Sequence, residues 1–257
     1  MDSHSCCGIS IRDLTLMRAG KLLYRNFSLE IQPASVTVLI APSGRGKTTL
    51  LDYLGGILSV SGTTVSGRCR FTGAAAEHGT PGISYLFQEP RLIPGIPVLE
   101  NILIPLVNTM SYEDSHARAV YFAGRVGLSD RLSVFPLQLS GGEKQRTAIA
   151  RAFAFPSDIL LMDEAFQSQD IGIKVNLMEL FESMITENPR TVLFVTHDVK
   201  EAVCLADRIL VLDGSPLQVL LDERNDKGPE SVRNRLFFDP FPPAAELEKR
   251  IIRLLIS

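Results

Sequence analysis

The chain has 257 residues, 45% of them hydrophobic and 21% charged, which is the composition of an ordinary globular protein with room for one large α/β domain. Its 26 basic and 29 acidic side chains give a net charge of −3, so electrostatics offers no reason to expect nucleic acid as a partner. No apolar run approaches the roughly 18 residues of a membrane-spanning helix, and we expect no signal peptide. Four cysteines without a CxxC spacing predict reduced thiols in a cytosolic protein.

Two kinds of strand are predicted in the first third of the chain. Residues 8–31 alternate apolar and polar side chains, which indicates antiparallel strands with one solvent-facing side and a turn at Gly20. Residues 36–40 are mostly apolar and predict a short buried strand. Residues 55–82 are rich in small residues, and we expect them at the surface with one strand-like piece at residues 68–71.

A helical segment is predicted in the middle of the chain. After a strand at residues 83–87, four prolines are expected to interrupt helices and strands: Pro90, Pro94, Pro97 and Pro105. Helices follow over residues 112–127 and 142–155. Residues 89–156 are therefore expected to form a mostly helical insertion between strands.

Strands and helices alternate in the rest of the chain. The predicted strands span residues 158–163, 191–196, 208–212 and 217–221, and the predicted helices span residues 171–186 and 199–206. This alternation indicates a mostly parallel sheet covered on both faces. The polar residues 222–235 are expected to be loose. A final helix is expected to begin at Pro242 and to align Leu247, Ile251, Leu254 and Leu255 on one side.

The strongest functional signal is the loop after residues 36–40, with the sequence APSGRGKTTL. Small residues let successive N–H groups point into one concavity, and the helix that follows adds the positive end of its dipole. Lys47 is placed to reach the β- and γ-phosphates of a nucleotide, and Thr48 to offer a hydroxyl to Mg²⁺. The motif ordinarily begins with glycine, where this chain has Ala41. The residues expected to bind the nucleotide here are Pro42, Ser43, Gly44, Arg45, Gly46, Lys47, Thr48 and Thr49.

A pair of carboxylates follows the apolar run at residues 159–162. In open α/β sheets, a carboxylate at the carboxyl end of a strand faces the phosphates of a bound nucleotide. Asp163 is expected to hold Mg²⁺ through its water shell, and Glu164 to polarise the attacking water as general base. Taken alone, this motif and the glycine-rich loop could each be an ordinary turn, but together they favour a nucleotide site.

A second candidate anion site lies in the run LSGGEKQR at residues 139–146. Ser140, Gly141 and Gly142 precede a predicted helix, whose N-terminal N–H groups attract a phosphate. One chain needs one phosphate cradle per nucleotide, so we expect this second cradle to face the nucleotide of a partner subunit. An N-capped helix after a glycine turn would explain Ser140 but not the whole run through Arg146.

With these three motifs, the chain resembles the ATP-binding subunits of ABC transporters over about residues 8–221. The resemblance implies an α/β P-loop NTPase (RecA-like) fold: a mostly parallel sheet with an antiparallel N-terminal β sub-domain and an inserted α-helical sub-domain. It implies a single ABC ATPase domain over residues 1–257. The expected parts are a core of residues 1–88 and 157–221, a helical sub-domain of about residues 89–156, and a C-terminal tail and helix of residues 222–257.

The resemblance also implies roles for residues outside these motifs. Gln88 matches the glutamine that touches Mg²⁺ and senses the membrane partner, so the expected metal-binding set is Thr48, Gln88 and Asp163. His197 matches the switch histidine that contacts the γ-phosphate. It joins Lys47 and Glu164 as the expected catalytic residues, although a histidine after a strand, taken alone, is more often a surface or core residue.

Two departures from the family pattern concern subunit communication and the nucleotide base. Asp170 matches the end of the D-loop, but residues 167–169 read Gln-Ser-Gln where Ser-Ala-Leu is usual. The aromatic residue that stacks on adenine is absent. The spacing back from Ala41 places Arg18 there, and its guanidinium plane could stack on the base, whereas Tyr24 is nearby but out of register.

The runs SYLFQEPRLIPGIPVLENI and MDEAF look most like the importer branch that handles nitrate, sulfonates, taurine and similar small solutes. The resemblance implies an ATP-binding and ATP-hydrolysing subunit that uses ATP and Mg²⁺ at the cytoplasmic face of the cell membrane. Its implied partners are a second ATPase subunit, most simply in a homodimer, a membrane permease and, indirectly, a solute-binding receptor. The apolar residues 92–99 would form part of the permease groove or an internal hydrophobic patch, and both interpretations stay open.

Two other functions are compatible with the nucleotide motifs. One is a soluble ABC-type ATPase without a permease, as in iron–sulfur assembly or another regulatory role. A single nucleotide domain, the lack of a basic run and the lack of a coiled-coil insertion argue against it. The other is a regulatory binding module without catalysis, which the presence of Lys47, Asp163, Glu164 and His197 disfavours.

Overall fold

The computed structural model describes residues 6–73, 81–167, 170–228, 231–237 and 242–256. Within these ranges the strands are β1 (Gly8–Arg18), β2 (Lys21–Ile31), β3 (Val36–Ile40), β4 (Thr63–Thr72), β5 (Ile83–Leu86), β6 (Ile159–Asp163), β7 (Thr191–Thr196), β8 (Arg208–Asp213) and β9 (Gln218–Arg224). The α-helices are α1 (Lys47–Leu54), α2 (Val98–Leu103), α3 (Tyr112–Arg125), α4 (Gly141–Ala154), α5 (Ile171–Glu187), α6 (Val199–Leu205), α7 (Val232–Phe237) and α8 (Pro242–Ile256). No helix in these ranges is both long and apolar enough to cross a bilayer.

The strands form two sheets, as the sequence predicts. The smaller sheet is antiparallel with the order β2-β1-β4, and Gly20 lies in the turn between β1 and β2. The larger sheet has the order β5-β6-β7-β3-β8-β9 and is parallel except for the pair β8 and β9. β4 is longer than the piece expected at residues 68–71, because a strand at a sheet edge can carry mostly exposed polar side chains.

The parallel sheet is buried on both faces, which explains the continuous apolar runs of its strands. In β6, Leu160 and Met162 belong to a core shared with the helices α2 to α6. Their neighbours Ile159 and Leu161 belong to a second core, which α1 and the antiparallel sheet complete. The sheet is therefore the middle layer, and its carboxyl edge remains accessible between the two cores.

The helices α2, α3 and α4 lie between β5 and β6 in the chain. Pro97 agrees with the expectation that prolines limit helices here, because α2 begins directly after it; as the N-cap it loses nothing by lacking an N–H. The buried Asn101 side chain accepts a hydrogen bond from the N–H of Ile93 and donates to the carbonyl oxygens of Ile93, Ile96 and Pro97. Val98 is fully buried, whereas Ile93 is 48% exposed, so residues 92–99 divide between core and surface.

The expectation that residues 222–235 are loose is wrong for residues 222–224 in β9, for the buried Asn225 and for residues 232–235 in α7. β9 continues to Arg224, and the buried Asn225 amide donates to the carbonyl oxygens of Val203 and Ala206 at the end of α6. The Asn225 amide thus binds protein groups instead of water, which composition alone does not reveal. The last helix agrees with its prediction, because its apolar side packs into the core through Leu247, Ile251, Leu254 and Leu255.

Arg190 joins the end of α4 to the start of β7. Its buried guanidinium donates to the carbonyl oxygens of Ala152 at 3.0 Å and Phe153 at 2.8 Å, and to the hydroxyl of Ser157 at 2.8 Å. The last carbonyls of a helix lack partners within the helix and carry the negative end of its dipole, so this cation caps α4. Burial lowers the pKa of Arg190 to about 10, and the side chain stays charged at neutral pH.

We expect Arg190→Met to lower the free energy of unfolding by about 3 kcal/mol, because buried oxygens lose their donors while most of the side-chain volume is kept. Urea unfolding followed by circular dichroism measures the change. The matched control is Arg70→Met, which removes an exposed arginine from β4 and should leave the unfolding midpoint unchanged. Equal stability of the two variants would show that α4 does not depend on this cap.

Candidate functional site

The loop between β3 and α1 lies at the carboxyl edge of the parallel sheet. Gly44 and Gly46 have φ values of 71° and 108°, a left-handed region that side chains disfavour. A Cβ atom at Gly46, the N-cap of α1, would also lie 3.1 Å from the side chain of Leu23. The loop therefore has the strand–turn–helix setting that makes an anion site of a helix N-terminus.

A cavity of about 580 Å³ opens beside this loop. The loop and α1 contribute Ser43, Gly44, Gly46, Lys47, Thr48 and Thr49 to its lining. Side chains from distant parts of the chain join them: Arg18, Ala19, Leu23, Gln88 and Glu164. Pro42 and Arg45 belong to the loop but do not line the cavity.

The Lys47 side chain is buried at the centre of the loop. Its Nζ atom donates to the carbonyl oxygens of Ala41 at 2.8 Å and Pro42 at 3.2 Å, and lies 3.5 Å from Oε1 of Glu164. Burial lowers the pKa of Lys47, while the carboxylates of Glu164 and Asp163 oppose that shift. Ala41 serves this lysine through its main-chain oxygen, which explains why alanine can stand where the motif has glycine.

Asp163 ends β6 directly behind the start of α1. Burial raises the pKa of the Asp163 carboxyl, and the nearby Thr48 hydroxyl opposes this shift. The two side chains therefore lie near each other, although one precedes the helical insertion and the other follows it. A carboxylate and a hydroxyl thus lie together at the edge of the cavity, where Thr48 is part of the lining.

The Glu164 carboxylate is contacted by side chains from several separate parts of the chain. Its Oε2 atom accepts a hydrogen bond from Nε2 of Gln88 at 3.3 Å, and its Oε1 atom lies 3.3 Å from Nδ1 of His197 as well as near Lys47. Its φ of 45° is unfavourable for a residue with a side chain. Such strain is typical of functional positions, because the surrounding structure must enforce it.

His197 follows β7, and its side chain is 49% exposed. The residues that come after it hold the backbone of this turn in place. Asp198 caps α6 by accepting hydrogen bonds from the N–H groups of Lys200 and Glu201. Lys174 of α5 forms ion pairs with Asp198 and with the buried Glu201. The turn that carries the histidine is thereby tied to α5.

Gln167 contacts His197, which the sequence analysis did not anticipate. Its Nε2 atom lies 2.8 Å from Nδ1 of the ring and 3.4 Å from the ring Nε2. The signal was the unusual Gln-Ser-Gln run, of which residues 168 and 169 lie outside the described residues. Asp170 is the N-cap residue of α5.

Ser140, Gly141 and Gly142 start α4 and do not line the cavity beside Lys47. Ser140 caps the helix reciprocally with Glu143: the Glu143 N–H donates to the serine hydroxyl, and the Ser140 N–H donates to the carboxylate. These bonds from Ser140 lower the pKa of the Glu143 carboxyl.

Gln145, one turn into α4, connects this helix to the residues after β6. Its buried amide donates to the carbonyl oxygen of Ala165 at 2.6 Å, one residue beyond Glu164. The start of α4 is thus preformed and held against the turn that carries the Glu164 carboxylate.

Arg18 lies at the rim of the cavity, with Nη1 3.3 Å from the hydroxyl of Thr49 and 4.0 Å from the carboxylate of Asp52. Tyr24 is fully buried, and its hydroxyl donates to the carbonyl oxygen of Gly46 at 3.2 Å. Tyr24 therefore supports the loop from behind. Ala19 and Leu23 were not predicted as lining residues, because their place depends on how the antiparallel sheet packs over α1.

Comparisons with known proteins identify the family of this chain. The ABC transporter family matches residues 24–167. An aliphatic sulfonates import ATP-binding protein of Mesorhizobium japonicum is 36% identical over 203 residues, which cover 79% of this chain and 74% of the relative. A protein described in the same words from Agrobacterium fabrum is 32% identical over 248 residues, which cover 96% of this chain and 83% of the relative.

Solved structures share the fold. A dimeric ATP-binding cassette in a post-hydrolysis state, bound to ADP and Pi, has a TM-score of 0.71 at 28% identity and covers 85% of this chain and 99% of its own. A second dimer, described as a bacterial ABC transporter cassette, gives the same values. These similarities confirm the predicted P-loop NTPase fold, with its antiparallel sheet and inserted helices. The family match, the relatives and the shared fold together establish that this chain belongs to the ABC transporter family, as one of its ATP-binding cassettes.

Proposed function

We propose that this chain is the ATP-binding and ATP-hydrolysing subunit of an ABC importer for a small solute of the nitrate, sulfonate or taurine type. The observation that carries the proposal is the convergence of Lys47, Gln88 and His197 on the Glu164 carboxylate beside one cavity. The relatives are named for aliphatic sulfonates, which favours that solute class. The proposal treats residues 1–257 as one ATPase domain with its helical part at about residues 89–156.

The phosphates of ATP would lie along residues 42–49, where N–H groups of the loop and of the first turn of α1 can donate to phosphate oxygens. The Lys47 ammonium would bind the β- and γ-phosphates. Glu164 is the proposed general base, because a carboxylate at the cavity can accept a proton from the attacking water. His197 would contact the γ-phosphate, and Arg18 would stack on the adenine from the rim.

The side chains around Thr48 fit a magnesium ion. Gln88 directs its amide nitrogen to Glu164, which leaves the amide oxygen for another partner, and Thr48 and Asp163 add a hydroxyl and a carboxylate. Oxygen donors of these kinds suit Mg²⁺, which also keeps waters and substrate phosphates as ligands. When bound there, the ion would neutralise charge that develops on the phosphates.

We propose that two copies act together, with Ser140, Gly141 and Gly142 of one chain facing the nucleotide of the other. In support, these residues start α4 away from the cavity of their own chain, and the serine cap holds them in place. The two solved cassettes described above are dimers.

A membrane permease is the proposed second partner. Exposed apolar side chains at Ile93, Ile104 and Val107 offer a surface on the helical segment, and Gln88, which lines the cavity, precedes that segment in the chain. This docking would place the chain at the cytoplasmic face of the cell membrane, with a solute-binding receptor acting through the permease. A soluble ATPase without a permease is less favoured, since the relatives are named as import proteins.

We expect Glu164→Gln to lower steady-state phosphate release at least roughly 100-fold, because an amide cannot accept the proton of the attacking water. ATP should still bind, so size-exclusion chromatography with ATP should detect an accumulated dimer. The matched control is Glu113→Gln on the exposed first turn of α3, with turnover like that of the parent protein. Full turnover in Glu164→Gln would remove Glu164 from the role of base.

Removal of divalent cations should separate binding from hydrolysis. With excess chelator, we expect phosphate release to stop while a fluorescent ATP analogue still binds, because Lys47 and the loop N–H groups hold the phosphates without the ion. Asp163→Asn should need more Mg²⁺ for half-maximal activity. Phosphate release that persists under chelation would contradict the proposed magnesium site.

Replacement of Arg18 should weaken binding of the adenine and leave binding of the phosphates unchanged. We expect Arg18→Ala to raise the KM for ATP by about fivefold to tenfold, because a cation stacked on an aromatic ring contributes about 1 kcal/mol. Arg18→Tyr should restore the KM of the parent protein, because a tyrosine ring can also stack on adenine. Inorganic tripolyphosphate, which has no base, should inhibit both variants equally well; weaker inhibition of Arg18→Ala would instead assign Arg18 to the phosphates.

A further inference from the structure

The turn after β5, residues 87–91, carries Gln88 outside any regular element. β5 ends at Leu86, and residues 87–97, which the structure describes in full, form only turns and irregular segments. The Gln88 side chain is exposed, so packing does little to hold its amide against Glu164. The position of this amide therefore depends on what fixes the backbone of the turn.

Arg151 of α4 binds the turn through two successive carbonyl groups. Its Nη2 atom donates to the carbonyl oxygen of Pro90 at 2.7 Å, and its Nη1 atom donates to that of Arg91 at 3.0 Å. A planar guanidinium can offer two N–H groups in a fixed fork, whereas an ammonium is a single point of attachment. One half-buried side chain thus holds two neighbouring peptide units.

This contact differs from an ordinary helix cap. A cation in the last turn of a helix commonly serves the carbonyl groups of its own helix. In α4 other arginines already bind these groups, because Arg190 and Arg118 together hold the carbonyls of residues 152–154. Arg151 comes from the same last turn but reaches away from the helix to the turn after β5.

A strained residue in the turn depends on the same contact. Arg91 has a φ of 45°, which is unfavourable for a residue with a side chain. Arg151 binds its carbonyl oxygen, and its own guanidinium lies over the Phe87 ring with Cζ 3.9 Å from the centroid. Phe87 stacks on Tyr85 of β5, with ring centroids 4.1 Å apart. Phe87 and Arg91 flank Gln88, so the turn is held on both sides of the glutamine.

We propose that Arg151 is a positioning residue, which fixes residues 87–91 and thereby keeps the Gln88 amide directed to Glu164. The inference rests on the proposed ATPase function, in which Gln88 also offers its amide oxygen to Mg²⁺. α4 then holds both partners of this bond, since Gln145 binds the carbonyl group next to Glu164 and Arg151 binds the turn of Gln88. Loss of Arg151 frees the turn and leaves the phosphate-binding loop untouched.

Limited trypsin digestion tests this anchoring without any need for activity. Trypsin cleaves after arginine, and the bond between Arg91 and Leu92 contains a carbonyl group that Arg151 holds. We expect Arg151→Met to raise the rate of cleavage at this bond at least about tenfold, measured by mass spectrometry of the fragments, because local opening governs cleavage. The matched control is Arg118→Met, which removes another half-buried arginine bound to a carbonyl of α4 and should leave cleavage after Arg91 as in the parent.

Two comparisons separate local release of the turn from loss of the whole fold. Arg208 lies in β8 of the larger sheet, so cleavage after it reports global unfolding and should change far less. Arg151→Lys keeps a cation in α4 but offers one ammonium to two carbonyl groups, so cleavage after Arg91 should also accelerate. Equal acceleration after Arg91 and Arg208 would overturn the proposal, and so would parent-like cleavage after Arg91 in both Arg151 variants.

A double-mutant cycle then tests the link to Gln88. We expect Arg151→Met to lower kcat for ATP roughly fivefold to tenfold in the parent but less than about twofold in a Gln88→Ala background, because residues that act through one another are not additive. Fully additive losses would assign Arg151 a general structural role and overturn the proposal.

The two measurements fail in different ways. If the parent protein releases no phosphate, the proposed ATPase function fails, and cleavage after Arg91 still decides whether Arg151 holds the turn. If the parent is active but the cycle is additive, or cleavage after Arg91 does not depend on Arg151, this inference alone fails.

Discussion

The candidate site depends on the parallel pairing of β3, β6 and β7. Their register sets Ile40 beside Thr196 and Asp163 beside Val195, so the three chain segments leave the sheet at the same level. The loop before α1, Glu164 and His197 each follow one of these strand ends. A register shift of one residue would turn the side chains of a strand toward the wrong core. The free-energy cost of that shift keeps the three segments aligned.

The helical segment is tied to the same edge of the sheet. Gln145 holds the start of α4 against Ala165, and Arg190 binds the carbonyl oxygens at its end. These three bonds are buried, so breaking any of them would leave polar groups without partners. The beginning of α4, with Ser140 and its capping bonds, is therefore positioned relative to Glu164 by the fold itself.

Much of this architecture could be predicted because its signals are contiguous in the sequence. Short continuous motifs contain the phosphate-loop residues 41–49 and the pair Asp163 and Glu164. Continuously apolar strands indicate a sheet with two buried faces. Residues 222–235 were mispredicted, because polarity does not say whether the partner of a side chain is water or protein.

Contacts between distant turns were beyond sequence reasoning. Gln167 and His197 meet only because β6 and β7 are neighbours in the sheet, and no local pattern encodes that pairing. The unusual D-loop sequence marked the place without revealing the contact. The same holds for Leu23 and Ala19, which reach the cavity through the packing of one sheet over α1.

The contact between Lys47 and Glu164 has a consequence for the timing of the reaction. The same carboxylate oxygen that lies 3.5 Å from the lysine ammonium also lies 3.3 Å from His197, so little room is left at this oxygen for a water molecule. In the proposed function, a triphosphate would bring several negative charges to the lysine and compete with the carboxylate for it. Binding of the substrate would then also free the Glu164 carboxylate to accept a proton from water.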